Sequence, residues 1–253
     1  MNIKDQVVLI TGASRGLGAE IAKAFGRESA HIIVNYHQSE EKARQVVKQI
    51  GDRAIAIRAD VTDRNQVDAL FVQAENHFGQ PVTTVINNAL MNFKFDAVNR
   101  KNAGQITWED YQTQLEGSVK ASLLTTQAAY EGMSKLNFGR IITIGTNLVQ
   151  NPVVPYHDYN TSKAALIGFT RTMARELGAN GITVNMVSGG LLEKTDASAS
   201  TPDEVFDLIK ESTPLKRVTT PAELADATLF FASPWSRAVT GQNLVVDGGL
   251  VMN

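Results

Sequence analysis

The sequence predicts one doubly wound α/β domain, and three observations carry that prediction. Short β-branched runs alternate with longer helical stretches along the chain, the pattern of parallel strands covered on both faces. The 253 residues are 43% hydrophobic and 20% charged, enough to bury the core of one large domain. No linker, repeat or low-complexity tract interrupts the alternation, so residues 1–253 read as a single domain.

Taken in order, the strand signals are QVVLIT (6–11), HIIVNY (31–36), AIAIRA (54–59), VTTVIN (82–87), GRIITIG (139–145), GITVNMV (181–187) and NLVVDG (243–248). Helical patterns fill most of the gaps. Two helix starts carry capping-box signatures with proline at the first helical position, Thr201-Pro202-Asp203-Glu204 and Thr220-Pro221-Ala222-Glu223. The stretch 188–212 has no strand signal and predicts a mobile loop and short helix, a candidate substrate lid beyond the carboxyl ends of the strands.

Composition excludes several classes of function. With 24 Lys+Arg against 26 Asp+Glu, a net charge of −2 and a pI near 6.1, the chain lacks the footprint of a nucleic-acid binder. It has 0 Cys, which removes disulfides and thiolate metal sites, and His31, His37, His77 and His157 show no close ligand spacing. No metal is expected. The first apolar run is too short for a signal peptide and no segment approaches a membrane span, so a cytoplasmic protein is expected.

The first strand runs into TGASRGLGAE (11–20). Glycines at 12, 16 and 18 between a strand and a helix let backbone N–H groups approach a pyrophosphate at a positive helix end, which predicts dinucleotide binding. The second strand ends at Asn35-Tyr36-His37, with no carboxylate for a ribose 2′-hydroxyl. Arg15, inside the glycine loop, suits a 2′-phosphate instead, favouring NADP(H) over NAD(H).

Thr11-Gly-Ala-Ser-Arg-Gly-Leu-Gly18, Asp60-Val61, Asn87-Asn88-Ala89, Tyr159-x-x-x-Lys163 and the late GQNLVVDGG together resemble the short-chain dehydrogenase/reductases, from about residue 5 to the C-terminus. Within that family the chain is most similar to the 3-oxoacyl-acyl-carrier-protein reductases. The resemblance implies a Rossmann-type sheet of about seven parallel strands, a homotetramer, and hydride transfer between nicotinamide and a carbonyl or alcohol. It places cofactor contacts at Gly12, Ser14, Arg15, Gly16, Leu17 and Gly18 in the first loop, and at Tyr36 and His37 after the second strand. Further contacts fall at Asp60 and Val61, at Asn88, Ala89 and Leu90, at Tyr159 and Lys163, and at Gly189 and Gly190.

Of the five tyrosines only Tyr159 has a lysine four residues on. A free phenol has a pKa of about 10, too high for acid–base work near neutrality; the Lys163 ammonium and an oxidised nicotinamide favour the phenolate. Tyr159 is therefore the expected proton donor, and the resemblance adds that Lys163 holds the nicotinamide ribose. Tyr156 either lines the pocket or packs.

Several positions depart from the family pattern. Thirteen residues before Tyr159, where the family has a serine that polarises the substrate carbonyl, stands Thr146; forty-one before, where it has an asparagine supporting a water relay, stands Ser118. Thr146 keeps the hydroxyl and adds a stiffening methyl, whereas Ser118 lacks the amide's donor and acceptor pair. Leu90 replaces a glycine, and VSGG stands where the family has proline before glycine. The segment 91–110 is longer than the family's, and its Met91, Phe93 and Phe95 either edge the substrate cleft or pack an enlarged loop.

An NADPH-dependent reductase of a 3-oxoacyl thioester or related ketone is the leading expectation. Asn137-Phe138 and Asn180, where carrier-protein reductases present cations, speak against an acyl carrier protein as partner. The rival is a non-catalytic NADP(H)-binding sensor.

Overall fold

The computed structural model describes residues 1–193, 195, 198–199 and 201–252. Its strands are β1 (Val7–Ile10), β2 (His31–Tyr36), β3 (Ala54–Arg58), β4 (Thr84–Asn87), β5 (Gly139–Thr146), β6 (Ile182–Gly189) and β7 (Asn243–Val246). All pair in parallel, in the order β3-β2-β1-β4-β5-β6-β7. The order reverses between β1 and β4, and a crevice for a ligand opens at such a reversal.

Every residue of β1 is fully buried, because helices cover both faces of the sheet and a parallel strand then reads as an unbroken apolar run. The side chains nevertheless alternate. Val8 and Ile10 join Phe25 of α1 (Gly16–Arg27) and Phe231 of α8 (Pro221–Ala232) on one face, with Ala43 and Val46 of α2 (Glu40–Ile50). Val7 and Leu9 join Leu70 of α3 (Arg64–Phe78), Met133 of α5 (Ala121–Leu136) and Leu177 of α6 (His157–Leu177) on the other. Truncating a side chain such as Leu9 to alanine would cost about 2–5 kcal/mol.

All seven sequence-derived strands are present, β2 with the expected bounds and the other six with shifted ends. Gln6 and Thr11 flank β1 without belonging to it, while β5 and β6 continue one and two residues further, to the paired Thr146 and Gly189. Thr220 makes the predicted capping box with Glu223, and Pro221 opens α8. The box predicted at Thr201 does not form. Pro202 adopts φ −61°, ψ 151° and caps α7 (Asp203–Ser212) without a side-chain bond, while the Thr201 N–H donates to Ser198 O. A capping box that went unread opens α4 (Trp108–Leu115) through Thr107 and Asp110.

Within the stretch expected to form a lid, 188–212, positions 194, 196, 197 and 200 lie outside the described residues; Gly189 ends β6 and Leu192 bridges to Thr219. Among the described residues no helix is long and apolar enough to cross a membrane, and no group of three or more His, Asp or Glu side chains is gathered to hold a metal.

Candidate active site

The glycine loop is clipped to the end of β4. The Thr11 hydroxyl donates to Ile86 O (3.3 Å) and accepts the N–H groups of Asn88 (2.9 Å) and Ala89 (3.0 Å), while Asn88 Nδ2 donates to Thr11 O (2.9 Å). Two glycines are forced by this closeness. Gly12 sits at φ +63°, and a Cβ there would lie 2.9 Å from Ala89 Cα; a Cβ on Gly18 would lie 2.6 Å from Asn88 Nδ2. Gly16, at φ +55°, opens α1, and a Cβ there would meet nothing within 4 Å.

Asn35 holds the loop from the other side. Its Oδ1 accepts from Gly12 N (3.2 Å), its carbonyl from Ala13 N (2.8 Å), and its Nδ2 donates to Ala59 O (3.1 Å). In the sequence this buried amide marked only a missing carboxylate. The open space at Gly16, at the positive end of α1, suits a pyrophosphate. Ser14 and Leu17 are half-buried beside it and Arg15, exposed, is the residue that caps α1.

At the ends of β2 and β3, Tyr36 and Val61 are buried, and His37 Nε2 lies 4.0 Å from Asp60 Oδ2. Burial alone would raise the Asp60 pKa. Hydrogen bonds from the Thr62 hydroxyl (2.7 Å) and N–H (2.9 Å) outweigh it and hold the carboxyl below its ordinary value. This rim offers no carboxylate on β2 itself, and the residues present fit a dinucleotide.

Thr146 at the end of β5 adjoins Tyr159 in the first turns of α6, its hydroxyl near enough to act on the phenol. Thr146 Oγ1 also accepts from Leu148 N (3.2 Å). Both side chains are buried, as is Lys163 one turn further on, whose Nζ donates to Ile144 O (2.7 Å) and lies 5.7 Å from the Tyr159 ring centre. Burial pushes the Tyr159 phenol well above its ordinary value, against the pull of the Thr146 hydroxyl, and Tyr156 adds to the rise. Burial lowers Lys163 to about 8. In the chain alone, then, the lysine is engaged by a backbone carbonyl, and desolvation rather than ion pairing dominates the phenol.

Ser118 lies in a π-helical turn, Glu116–Lys120, between α4 and α5, a distortion common at functional sites. Its hydroxyl donates to Gln114 O (2.6 Å). Ser118 and Lys163 line a cavity of about 10 Å³ together with Thr11, Asn87 and Ser122, room for about one water. The Asn87 Oδ1 accepts from the Thr125 hydroxyl (2.8 Å), while its buried Nδ2 has no protein partner. A polar cavity with an unsatisfied donor is the setting that holds an ordered water.

Leu90 is 38% exposed at the rim. Beyond it Phe93 stacks on Tyr159 with ring centres 4.6 Å apart, and Phe95 meets the same ring edge-on at 5.3 Å. The sequence left open whether these phenylalanines edge the cleft or pack; they lie directly on the predicted proton donor. Tyr156, buried ahead of α6, meets Phe93 edge-on at 5.3 Å. Gly190 shows a pair that sequence reading missed: a Cβ there would lie 2.9 Å from both Asn147 and Asp247. Asn147 Nδ2 donates to Asp247 Oδ2 (2.9 Å), and the Asp247 carboxylate accepts Gly249 N and Val251 N (each 3.0 Å), tying the C-terminal segment to the residue after Thr146.

A glycine loop at the sheet's reversal, with a Thr–Tyr–Lys group around the end of β5, is the layout of a nucleotide-dependent oxidoreductase site. The profile of the family described as enoyl-(acyl carrier protein) reductase matches residues 12–251, and the chain belongs to this family of short-chain dehydrogenase/reductases. It is similar to the 3-oxoacyl-[acyl-carrier-protein] reductase of Vibrio cholerae, 32% identical with 100% of each chain covered, and to that of Synechocystis, 35% identical over 98% and 97%. A hydroxynaphthalene reductase-like protein of Metarhizium acridum is 34% identical over 99% of this chain and 96% of that one. Among solved structures, one from Agrobacterium tumefaciens provisionally named a gluconate dehydrogenase superposes with a TM-score of 0.89, 27% identity and 100% coverage of both chains. The protein is accordingly an oxidoreductase acting on a carbonyl or CH–OH group with a nicotinamide cofactor.

Proposed function

We propose that the protein is an NADPH-dependent reductase of a 3-oxoacyl thioester or a related ketone. The observation that carries the reading is the buried Thr146–Tyr159 hydroxyl pair with Lys163 one helical turn away. A bound nicotinamide supplies or accepts the hydride. Gly12, Gly16 and Gly18 leave backbone room for its phosphates, Arg15 offers a guanidinium to a 2′-phosphate, and Asp60 with Val61 borders the adenosine end.

Tyr159 donates a proton to the substrate oxygen as that oxygen gains charge, and Thr146 gives a second hydrogen bond to the same oxygen. At about 8, Lys163 both releases and takes up a proton near neutrality, so it restores the phenol's proton. The water-sized cavity between Lys163 and Ser118 supports a water beside the lysine through which its proton is exchanged with solvent. Family membership and the retained Tyr159 and Lys163 support turnover over a binding-only sensor.

Relatives named for 3-oxoacyl-acyl-carrier-protein and hydroxynaphthalene reduction support a β-keto thioester or a ring ketone as substrate class. The neutral Asn137-Phe138 and Asn180 argue against an acidic carrier protein. The reading includes one catalytic domain over 1–253, a lid within 188–212, a cytoplasmic location and a homotetramer.

The test is NADPH oxidation against acyl thioesters and small ketones. Tyr159→Phe should lower turnover at least about a hundredfold with NADPH affinity almost intact, and Tyr156→Phe should do far less. A parent chain that binds NADPH yet reduces nothing, with Tyr159→Phe indistinguishable from it, would sink the reading.

A further inference from the structure

Resting on the carbonyl-reductase reading, we propose that the substrate is an aryl ketone, whose ring takes the flat slot that Phe93 fills in this structure. The slot has three aromatic walls. Phe93 lies 18° from parallel to Tyr159 at 4.6 Å, Phe95 stands edge-on to it at 5.1 Å and 80°, and Tyr156 stands edge-on at 5.3 Å and 86°. A stacked ring on one side and two rings held nearly perpendicular on others suit a π-system specifically, not any apolar group of similar size. The wall formed by Tyr159 carries the phenol hydroxyl that Thr146 adjoins. A ring in the slot therefore brings an attached carbonyl to the pair that must bind its oxygen.

Phe93 is placed so that it can leave. It is half-buried, in a segment with neither helix nor strand, and follows Asn92 at φ +46°, a left-handed hinge. The ends of the arc are fastened. The Met91 carbonyl accepts from Gln114 Nε2 (2.8 Å). The Asp96 carboxylate accepts Val98 N (3.1 Å), Asn99 N (2.9 Å) and Asn99 Nδ2 (2.9 Å), and the Lys101 ammonium pairs with Asp110 (2.6 Å). Phe95 precedes the turn that Asp96 closes on itself and keeps its wall, while Phe93 sits directly after the left-handed Asn92. An incoming aryl ring restores the ring contacts that Phe93 gives up; a saturated chain buries apolar area without restoring them.

The probes are 2-naphthol and its saturated counterpart decahydro-2-naphthol, titrated calorimetrically into the free chain and into the chain with NADP⁺. The parent should bind the naphthol at least about fivefold more tightly. Phe93→Ala vacates the slot and should tighten naphthol binding about threefold or more, widening the preference; Phe95→Ala removes a wall and should narrow it. Should the alanine chain fail to fold, Phe93→Leu should likewise widen the preference, because leucine cannot stack. Equal affinities in the parent would overturn the proposal, as would Phe93→Ala weakening both ligands alike, which would make Phe93 a fixed wall. The two readings fail separately. Reduction of acyl thioesters with no preference between the naphthols keeps the reductase and removes the aryl slot. A clear naphthol preference in a chain that reduces neither 1-tetralone nor any thioester removes the reductase and leaves a binding site for aromatic rings.

Discussion

Replacing Lys163 by methionine tests whether the site holds its ammonium against a desolvation cost. Burial lowers this lysine from 10.5 to about 8, whereas an unfolded chain leaves a lysine near its reference value of about 10.4. At 1.36 kcal/mol per pH unit, the fold disfavours the ammonium by about 3 kcal/mol. Below pH 8 both states hold the proton, and the parent carries that cost in full. Between about pH 8 and 10.5 the unfolded chain still holds a proton that the folded chain has released, so the parent gains stability as pH rises through this window.

Methionine has no charge to lose, and its chain should show no such gain. The bond from Lys163 to Ile144 O (2.7 Å) does not confuse the comparison, since a neutral amine still donates. Tyr159, raised above its ordinary value by burial, stays protonated in the folded chain through the same window. Urea unfolding of both chains at pH 7, 8, 9 and 10 gives the difference, in which other titrating groups largely cancel. That difference should be flat from pH 7 to 8 and then shift by about 2–3 kcal/mol in the parent's favour by pH 10. Parallel stability curves would refute the argument, because they would mean that the lysine is solvated and cannot exchange a proton near neutrality.

Two further outcomes follow from the cofactor rim and the relay cavity. Arg15→Ala should weaken NADPH binding roughly ten- to a hundredfold and NADH binding little, measured as dissociation constants; equal affinities in the parent would remove the NADP(H) assignment. Ser118→Asn, which reaches into the water-sized cavity beside Lys163, should leave NADPH affinity within about twofold and raise or broaden the pH profile of turnover. Loss of NADPH binding in that chain would make Ser118 a packing residue.

What the sequence showed plainly was local. β1 could be read from four consecutive apolar residues because both its faces are covered, and the glycine loop and the Tyr159–Lys163 pair because their spacing is short. Two similar strings, beginning Thr201-Pro202 and Thr220-Pro221, gave one extended proline and one capping box; in the first the Thr201 N–H is bonded to Ser198 O, a contact that the local string does not reveal. What escaped were partners distant in the chain. The Asn35 side chain bonds across 23 and 24 residues and Asn147 across 100, and no periodicity announces such pairs.

The departures at 118 and in the 91–110 segment looked independent in the sequence, yet Gln114 joins them. Its side chain holds the Met91 carbonyl at the foot of the Phe93 arc, and its own carbonyl takes the Ser118 hydroxyl. Gly117, between them, has room only for the Met91 side chain, since a Cβ there would lie 2.6 Å from Met91 Cβ. A segment that carries rings onto Tyr159 and a serine that lines the cavity of Lys163 thus share one anchor. Moving the arc would pull on the turn that carries Ser118, so the 91–110 segment and the shorter side chain at 118 are coupled through Gln114.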